Sequence, residues 1–311
     1  MSRTLYILGN GFDLAHGLET SYEAFYLTLK RENESFLTDL IYFFPSLDCK
    51  EAWRYFEEEL GNLTVEDFID SFEGLNVGSD EFRDRDYHQN EITVGNELWG
   101  TYNKLRDLFS TWIKEASNKK VQRLFEIEDD AIFFSFNYTE TLEKTYGIQK
   151  DKILHIHHKL EDSDLIFGHN ISSDEWRKEY MPDFYNKYRN QDIDEEPPCE
   201  IDYAIEAGCN SILGFYQQTR KEPQEHIKSA SEFFRKLRNV DKIVIMGVTL
   251  CNGDAEYIQH LTTCVEMEKV KWVLYYHKES EKHSLIETLI NAGVSPKNLE
   301  VLCSVGLRGR F

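Results

Sequence analysis

The sequence predicts an α/β protein built on a doubly wound, mostly parallel β-sheet with helical insertions. Three observations support this prediction. The short apolar run Leu5–Leu8 stops at a glycine-rich turn, as a buried strand entering a tight turn does. A continuous apolar run at 131–136 suits a central parallel strand. Towards the carboxyl terminus, short apolar runs alternate with helical patterns, which indicates parallel strands joined by helices.

The remaining elements follow in chain order and include two helical insertions. The first insertion is predicted at 22–116, with a polar loop at 74–96 and a long helix at its end. The second is predicted at 176–225, where dense charge and a Pro-Pro pair favour a partly helical lid or linker. The chain is then a single Rossmann-like domain over 1–311. Further strands are predicted at 153–156, 165–167, 243–246, 271–276 and 299–302, and helices at 255–266 and 284–291.

Composition and charge limit the class of protein. A chain of 311 residues that is 41% hydrophobic can bury a core, and no run approaches the roughly 18 apolar residues of a membrane span. The six cysteines form no CxxC pair, which argues against a zinc knuckle. The formal net charge of −21 repels phosphate backbones and disfavours nucleic acid as a partner. We therefore expect a soluble, cytoplasmic protein that does not associate with membranes.

The glycine-rich turn after the first strand is the first candidate site. It comprises Gly9, Asn10, Gly11 and Phe12, directly ahead of a predicted helix. Glycines let the backbone pass close to a pyrophosphate, and free N–H groups at a helix start attract the anion. Leu14 stands where a dinucleotide fingerprint has its third glycine, which disfavours a hydride-transferring dehydrogenase. Glycines also serve ordinary turns, and that alternative stays open.

Two further candidate positions follow the next two strands. Asn137 ends the run at 131–136, where its amide can hold a ribose hydroxyl or an attacking water; a strand-end cap is the alternative. His155, His157 and His158 come at the following strand. Strand alternation places the first two on one face and His158 on the other, so they are not expected to converge on a metal. One of them, with an ordinary histidine pKa of about 6.5, is a candidate general base.

The loop after the strand predicted at 243–246 is the last candidate site. It contains Gly247, Thr249 and Leu250, and Asp254 stands ahead of the next helix. A glycine, a hydroxyl and a carboxylate suit a second ligand-facing loop at the carboxyl edge of the sheet. A helix cap provided by the polar residues of this loop is an equally good interpretation.

The candidate segments form an ordered set along the chain. They are Ile7–Leu18, Thr20–Tyr22, Trp53–Glu57, Phe136–Glu143, Ile156–His157, Ile166–His169 and Gly247–Tyr257. Together they resemble the AbiH family of bacterial phage-defence proteins, over nearly the whole chain. The resemblance implies a role in abortive infection. The sequence leaves open whether the protein acts as a homo-oligomer or with a partner defence protein.

The same motif order is similar, more distantly, to sirtuin-like NAD-binding proteins. Gly9–Gly11 matches their glycine-rich turn and Gly247–Leu250 their last loop. Asn137 matches their strand-end asparagine and His157 their histidine. This resemblance implies NAD as substrate or ligand, no metal, and cleavage of the nicotinamide bond, with Asp13 stabilising the developing cation. A nucleotide-binding sensor without turnover is the alternative. A nuclease is disfavoured, because it would need clustered carboxylates and a basic groove.

Overall fold

The fold is described by a computed structural model over most of the chain. Two predicted features, the strand at 165–167 and His158, lie outside the described residues, and so does 176–202, which is most of the predicted lid or linker. The described residues are 3–74, 80–157, 168–172, 203–250, 252–304 and 309–310.

The chain forms two compact units. The first contains the described residues of 1–25, 109–166 and 221–311, and the second contains those of 26–108 and 167–220. The segments predicted as insertions, 22–116 and 176–225, overlap the two segments of the second unit. The assignment of 1–311 to a single domain stays a prediction.

The first unit is built on a six-stranded parallel sheet with a separate two-stranded pair. The strands are β1 (Thr4–Leu8), β2 (Phe125–Glu126), β3 (Ile132–Ser135), β4 (Ile153–His155), β5 (Lys242–Met246), β6 (Lys271–Tyr276), β7 (Leu299–Cys303) and β8 (Gly309–Arg310). The large sheet has the order β4-β3-β1-β5-β6-β7, and β2 pairs with β8. Chain order therefore reverses beside β1, as in a doubly wound dinucleotide-binding fold. The predicted Rossmann-like α/β class is confirmed.

The central strand β1 is buried on both faces. Its alternate residues enter two hydrophobic clusters, Leu5 and Ile7 in one and Tyr6 and Leu8 in the other. All four side chains are at most 1% exposed. Covering both faces of a parallel sheet removes the need for polar residues on alternate positions, which explains the continuous apolar run. The core of this unit therefore lies on both sides of β1, β3 and β5.

Helices connect the parallel strands of the first unit. The helix Asn252–Cys264 is an example, because Tyr257, Ile258 and Leu261 are fully buried against the sheet cluster. Across the described ranges, no helix is both long and apolar enough to cross a membrane. The other helices are Asn10–Ala15, Pro223–Ser229, Ser231–Arg235 and Glu279–Asn291, with shorter helical turns at Leu142–Tyr146, Lys150–Lys152, Lys236–Asn239 and Pro296–Asn298.

The second unit is helical. The prediction of a loop at 74–96 is wrong from Asp84 onwards, because these residues are helical. Asn90 explains this difference, because its buried side chain accepts from the Glu73 N–H and donates to the Glu73 carbonyl. The helices are Glu34–Phe43, Pro45–Asp48, Lys50–Tyr55, Phe56–Glu59, Glu66–Asp70, Asp84–His88, Gln89–Val94, Gly95–Trp99 and Tyr203–Gln218, while Tyr22–Glu32 and Gly100–Ser117 extend across the unit boundaries.

Candidate functional site

The candidate residues follow the carboxyl ends of the parallel strands. After β1 the chain adds β3 and β4 on one side of the sheet and then β5, β6 and β7 on the other. In open α/β sheets, ligands bind outside the carboxyl ends of the strands at this point of reversal. The turn Gly9–Phe12 follows β1 and the loop Gly247–Leu250 follows β5, and these two strands are hydrogen-bonded neighbours. The structure therefore brings these two predicted segments together.

The two loops are in direct backbone contact. The N–H of Gly9 donates to the last carbonyl of β5, and the N–H of Gly11 donates to the Gly247 carbonyl, each at 2.9 Å. The N–H of Phe12 donates to the Gly9 carbonyl at 2.9 Å. A Cβ added to Gly11 would lie 2.5 Å from the Gly247 Cα. The glycines thus permit close approach of the two loops, and the N–H groups of Gly9, Gly11 and Phe12, predicted to cradle a pyrophosphate, already have acceptors.

The remaining predicted ligand-binding residues of these loops differ in exposure. Phe12 is 3% exposed and lies in the core, and Asn10 accepts a hydrogen bond from the Thr20 hydroxyl at 2.5 Å. Leu250 is 5% exposed and has a φ of +52°, a left-handed conformation that costs about 1–2 kcal/mol for a residue with a Cβ. Such strain is concentrated at functional sites. In the loop Gly247–Leu250 that follows β5, Thr249 is the exposed residue.

Asp13 is a buried carboxylate in the first helix. It is 1% exposed and accepts hydrogen bonds from the hydroxyls of Thr139 at 2.5 Å and Thr141 at 2.7 Å. Burial raises the pKa of Asp13 to about 6, against the lowering effect of these two bonds and of the nearby His155 ring. Both carboxylate oxygens are engaged by the protein. Asp13 therefore joins the segments that follow β1 and β3.

Asn137 lies two residues beyond β3 with its backbone held on both sides. Its N–H donates to the Ser135 hydroxyl at 3.1 Å, and its carbonyl is 3.1 Å from Nδ1 of His155. The side-chain oxygen Oδ1 is buried and has no hydrogen-bond partner within the described ranges. An unpaired buried acceptor costs about 1–3 kcal/mol. Its Oδ1 is therefore an acceptor without a described partner at the carboxyl edge of the sheet.

His157 lies in the turn after β4 and pairs with Asp254. Its Nε2 is 3.7 Å from the Asp254 Oδ1, and the two side chains are 4% and 17% exposed. Burial raises the pKa of Asp254, but the neighbouring His157 ring and the charge of Lys221 outweigh it, so the pKa lies below its ordinary value. Nδ1 of His157 is buried without a partner among the described residues. The Tyr138 ring stacks on His157 at 5.9 Å between centroids.

Several residues of this region are not found by sequence reasoning. Lys221 is 4% exposed, yet nothing in its local sequence distinguishes it from a surface lysine. The spacing of Thr139 and Thr141 places two hydroxyls near each other, but only the fold reveals their shared partner. The contact between Nε2 of His155 and a Glu143 carboxylate oxygen, 3.1 Å long and between nearly buried side chains, is likewise visible only in the fold. In the part of the chain that the structure describes, no three or more His, Cys, Asp or Glu side chains are grouped to hold a metal.

This arrangement can perform acid–base chemistry on a bound ligand. A histidine held through one ring nitrogen by a carboxylate leaves the other nitrogen to accept a proton. The unpaired amide oxygen of Asn137 can orient a hydroxyl or a water. The chain is thus a doubly wound α/β protein with a polar, buried site at the carboxyl edge of its parallel sheet.

The comparison with protein families agrees with the sequence resemblance. The family described as bacteriophage abortive infection AbiH matches residues 5–276. The chain belongs to the AbiH family. Family membership indicates a role in abortive infection against phage. No curated protein matches the chain.

Proposed function

We propose that this protein binds NAD at the carboxyl edge of its sheet and hydrolyses the bond between nicotinamide and ribose, as its distant similarity to sirtuin-like proteins implies. The observation that best supports this proposal is the His157–Asp254 pair with its unpaired, buried Nδ1. The low pKa of Asp254 keeps this carboxylate ionised at neutral pH, and the first turn of its helix also favours a negative charge. Asp254 then fixes the tautomer in which Nδ1 carries the lone pair.

In this reaction, the C1′–N bond breaks and its electron pair leaves with nicotinamide. Positive charge develops on the ribose, in an oxocarbenium-like transition state. Water adds to C1′ as Nδ1 of His157 accepts its proton, giving ADP-ribose. The Oδ1 of Asn137 accepts a hydrogen bond from that water or from a ribose hydroxyl and thereby orients it. Asp13, ionised above a pKa of about 6, stabilises the positive charge through its field.

The two ends of NAD differ in how well the described residues suit them. The nicotinamide ribose matches the two unpaired buried atoms, one on Asn137 and one on His157. The pyrophosphate does not match the glycine turn, because the amides of Gly9 and Gly11 are engaged. We therefore assign the pyrophosphate to polar side chains of the β5 loop, with the exposed Thr249 as the first candidate.

A nucleotide-binding sensor without turnover is the second candidate function. Burial of the proposed catalytic side chains favours it, since Asn137 is 6% exposed and His157 is 3% exposed. A ligand must rearrange this region to reach them, and a rearrangement on binding can carry a signal to a partner. In this case a phage-induced metabolite or protein is the trigger.

Nicotinamide release by the purified protein separates the two functions. We expect turnover by the parent and a loss of about 10²–10⁴-fold in rate for His157→Ala, since a general base is removed. His260→Ala is the matched control, because His260 is a histidine on the same helix as Asp254 but contacts Phe234 and Cys264. Equal rates for the parent and His157→Ala would contradict the proposal. Binding of NAD without release supports the sensor.

A further inference from the structure

We propose that His155 is a positioning residue for Asn137 and that Glu143 holds His155 in place. The inference rests on the proposed function, because it specifies how the site presents the Asn137 amide to the ligand. His155 ends β4, and Ser135 ends the neighbouring β3 opposite it in the parallel register. The side chain of His155 thereby comes next to the backbone that continues from β3 to Asn137.

Both ring nitrogens of His155 are committed to other groups. Nδ1 lies 3.1 Å from the Asn137 carbonyl oxygen, and Nε2 lies 3.1 Å from Oε1 of Glu143. A carbonyl and a carboxylate both accept hydrogen bonds, so the ring nitrogen that carries the proton donates to the acceptor beside it. The His155 and Glu143 side chains are only 9% and 11% exposed, so little water competes for these bonds. Both ring nitrogens of His155 therefore lie against protein groups, and we assign His155 the function of holding Asn137.

The contact restricts Asn137 at the point that aims its side chain. Ser135 holds the Asn137 N–H and His155 holds its carbonyl, so the backbone on either side of its Cα is tied. The side-chain oxygen is left as the unpaired acceptor. A displacement of a positioning group by about 1 Å costs about 10²-fold in rate. Loss of the His155 contact is expected to act in this way.

The first experiment measures kcat and KM for nicotinamide release. We expect His155→Leu to lower kcat about 100-fold with little change in KM, because orientation and not binding is lost. Glu143→Leu should act in the same direction, whereas Glu143→Gln keeps an acceptor for Nε2 and should stay within a few-fold of the parent. Glu140→Gln is the matched control, because Glu140 is a buried carboxylate nearby that pairs with Lys144 at 3.1 Å. An unchanged kcat for His155→Leu would overturn the proposal.

A double variant distinguishes positioning from a general structural role. If His155 acts through Asn137, Asn137→Ala combined with His155→Leu should be no slower than Asn137→Ala alone. Losses that multiply would contradict this route. If His155→Leu does not fold, His155→Gln replaces it. The glutamine amide can still donate to the Asn137 carbonyl, so this variant should retain most of the parent kcat. Loss of activity in a folded His155→Gln would count against the proposal.

An independent measurement covers the case in which the parent releases no nicotinamide, which would refute the proposed function but not the positioning. The carbonyl of Asn137 is labelled with ¹³C and its side-chain amide with ¹⁵N, and both are observed by NMR. We expect His155→Leu to shift the carbonyl resonance and broaden the amide signals, while Glu140→Gln leaves both unchanged. Identical spectra for the parent and His155→Leu would overturn the positioning role.

Discussion

Replacing Gly11 with alanine tests the contact between the loops that follow β1 and β5. The new Cβ would lie 2.5 Å from the Gly247 Cα and 3.2 Å from the Gly247 carbonyl oxygen. Both atoms belong to the backbone, and the Gly11–Gly247 hydrogen bond of 2.9 Å ties the loops together, so the loops must move apart. Overpacking of this kind costs about 1–3 kcal/mol. We therefore expect Gly11→Ala to destabilise the protein even without a ligand.

The assay is unfolding in urea, with the midpoint compared at an unchanged slope. Gly214→Ala is the control, because a Cβ there meets nothing within 4 Å, and helix propensity predicts a gain of about 0.5–1 kcal/mol. A ligand cradle predicts the opposite pattern for Gly11→Ala, namely unchanged stability and lost NAD affinity in calorimetry. That result would refute the structural role assigned to this glycine.

Two further predictions concern Asp13 and Asn137. The folded pKa of Asp13, about 6, lies above its ordinary 3.8, so the folded state binds the proton more tightly and stability falls as pH rises from about 4 to about 6. The full difference is about 3 kcal/mol, of which about 2 kcal/mol falls between pH 4.5 and pH 7.5. Urea unfolding at these two pH values should show this loss in the parent but not in Asp13→Asn, and parallel pH profiles would contradict it. Asn137→Ala should abolish phage protection in plaque assays with little change in unfolding midpoint, because its Oδ1 has no hydrogen-bond partner among the described residues. A destabilised variant that still protects would indicate a strand-end cap instead.

The inner strands of the large sheet can be predicted from the sequence because they are buried on both faces. Continuous apolar runs at 131–136 and 271–276 correspond to Ile132–Ser135 and Lys271–Tyr276 in the structure. The helix at Gln89–Val94 is missed because its stabilising contact, from Asn90 to the Glu73 backbone, joins residues 17 apart in the sequence. A polar side chain that satisfies distant backbone groups has the same local pattern as one in a loop.

The candidate site is predictable in position but not in its contacts. Residues at strand ends meet at one edge of a parallel sheet, so their proximity follows from the fold class. The partner of a buried group does not, since Asp13 bonds to Thr139 across 126 residues of sequence. Likewise, the glycine N–H groups are engaged only because the loop after β5 and the end of β5 supply their acceptors. Strand alternation does not determine where the His157 side chain points, because β4 ends at His155.

Mass spectrometry of NAD, nicotinamide and ADP-ribose in phage-infected cells tests the central claim most directly. Cells that express the parent should lose NAD and accumulate nicotinamide and ADP-ribose after infection. Cells that express His157→Ala at the same level should keep their NAD, because the variant retains the fold but lacks the proton acceptor. Phage protection by the parent with NAD levels equal to those of the His157→Ala cells would contradict NAD hydrolysis at this site.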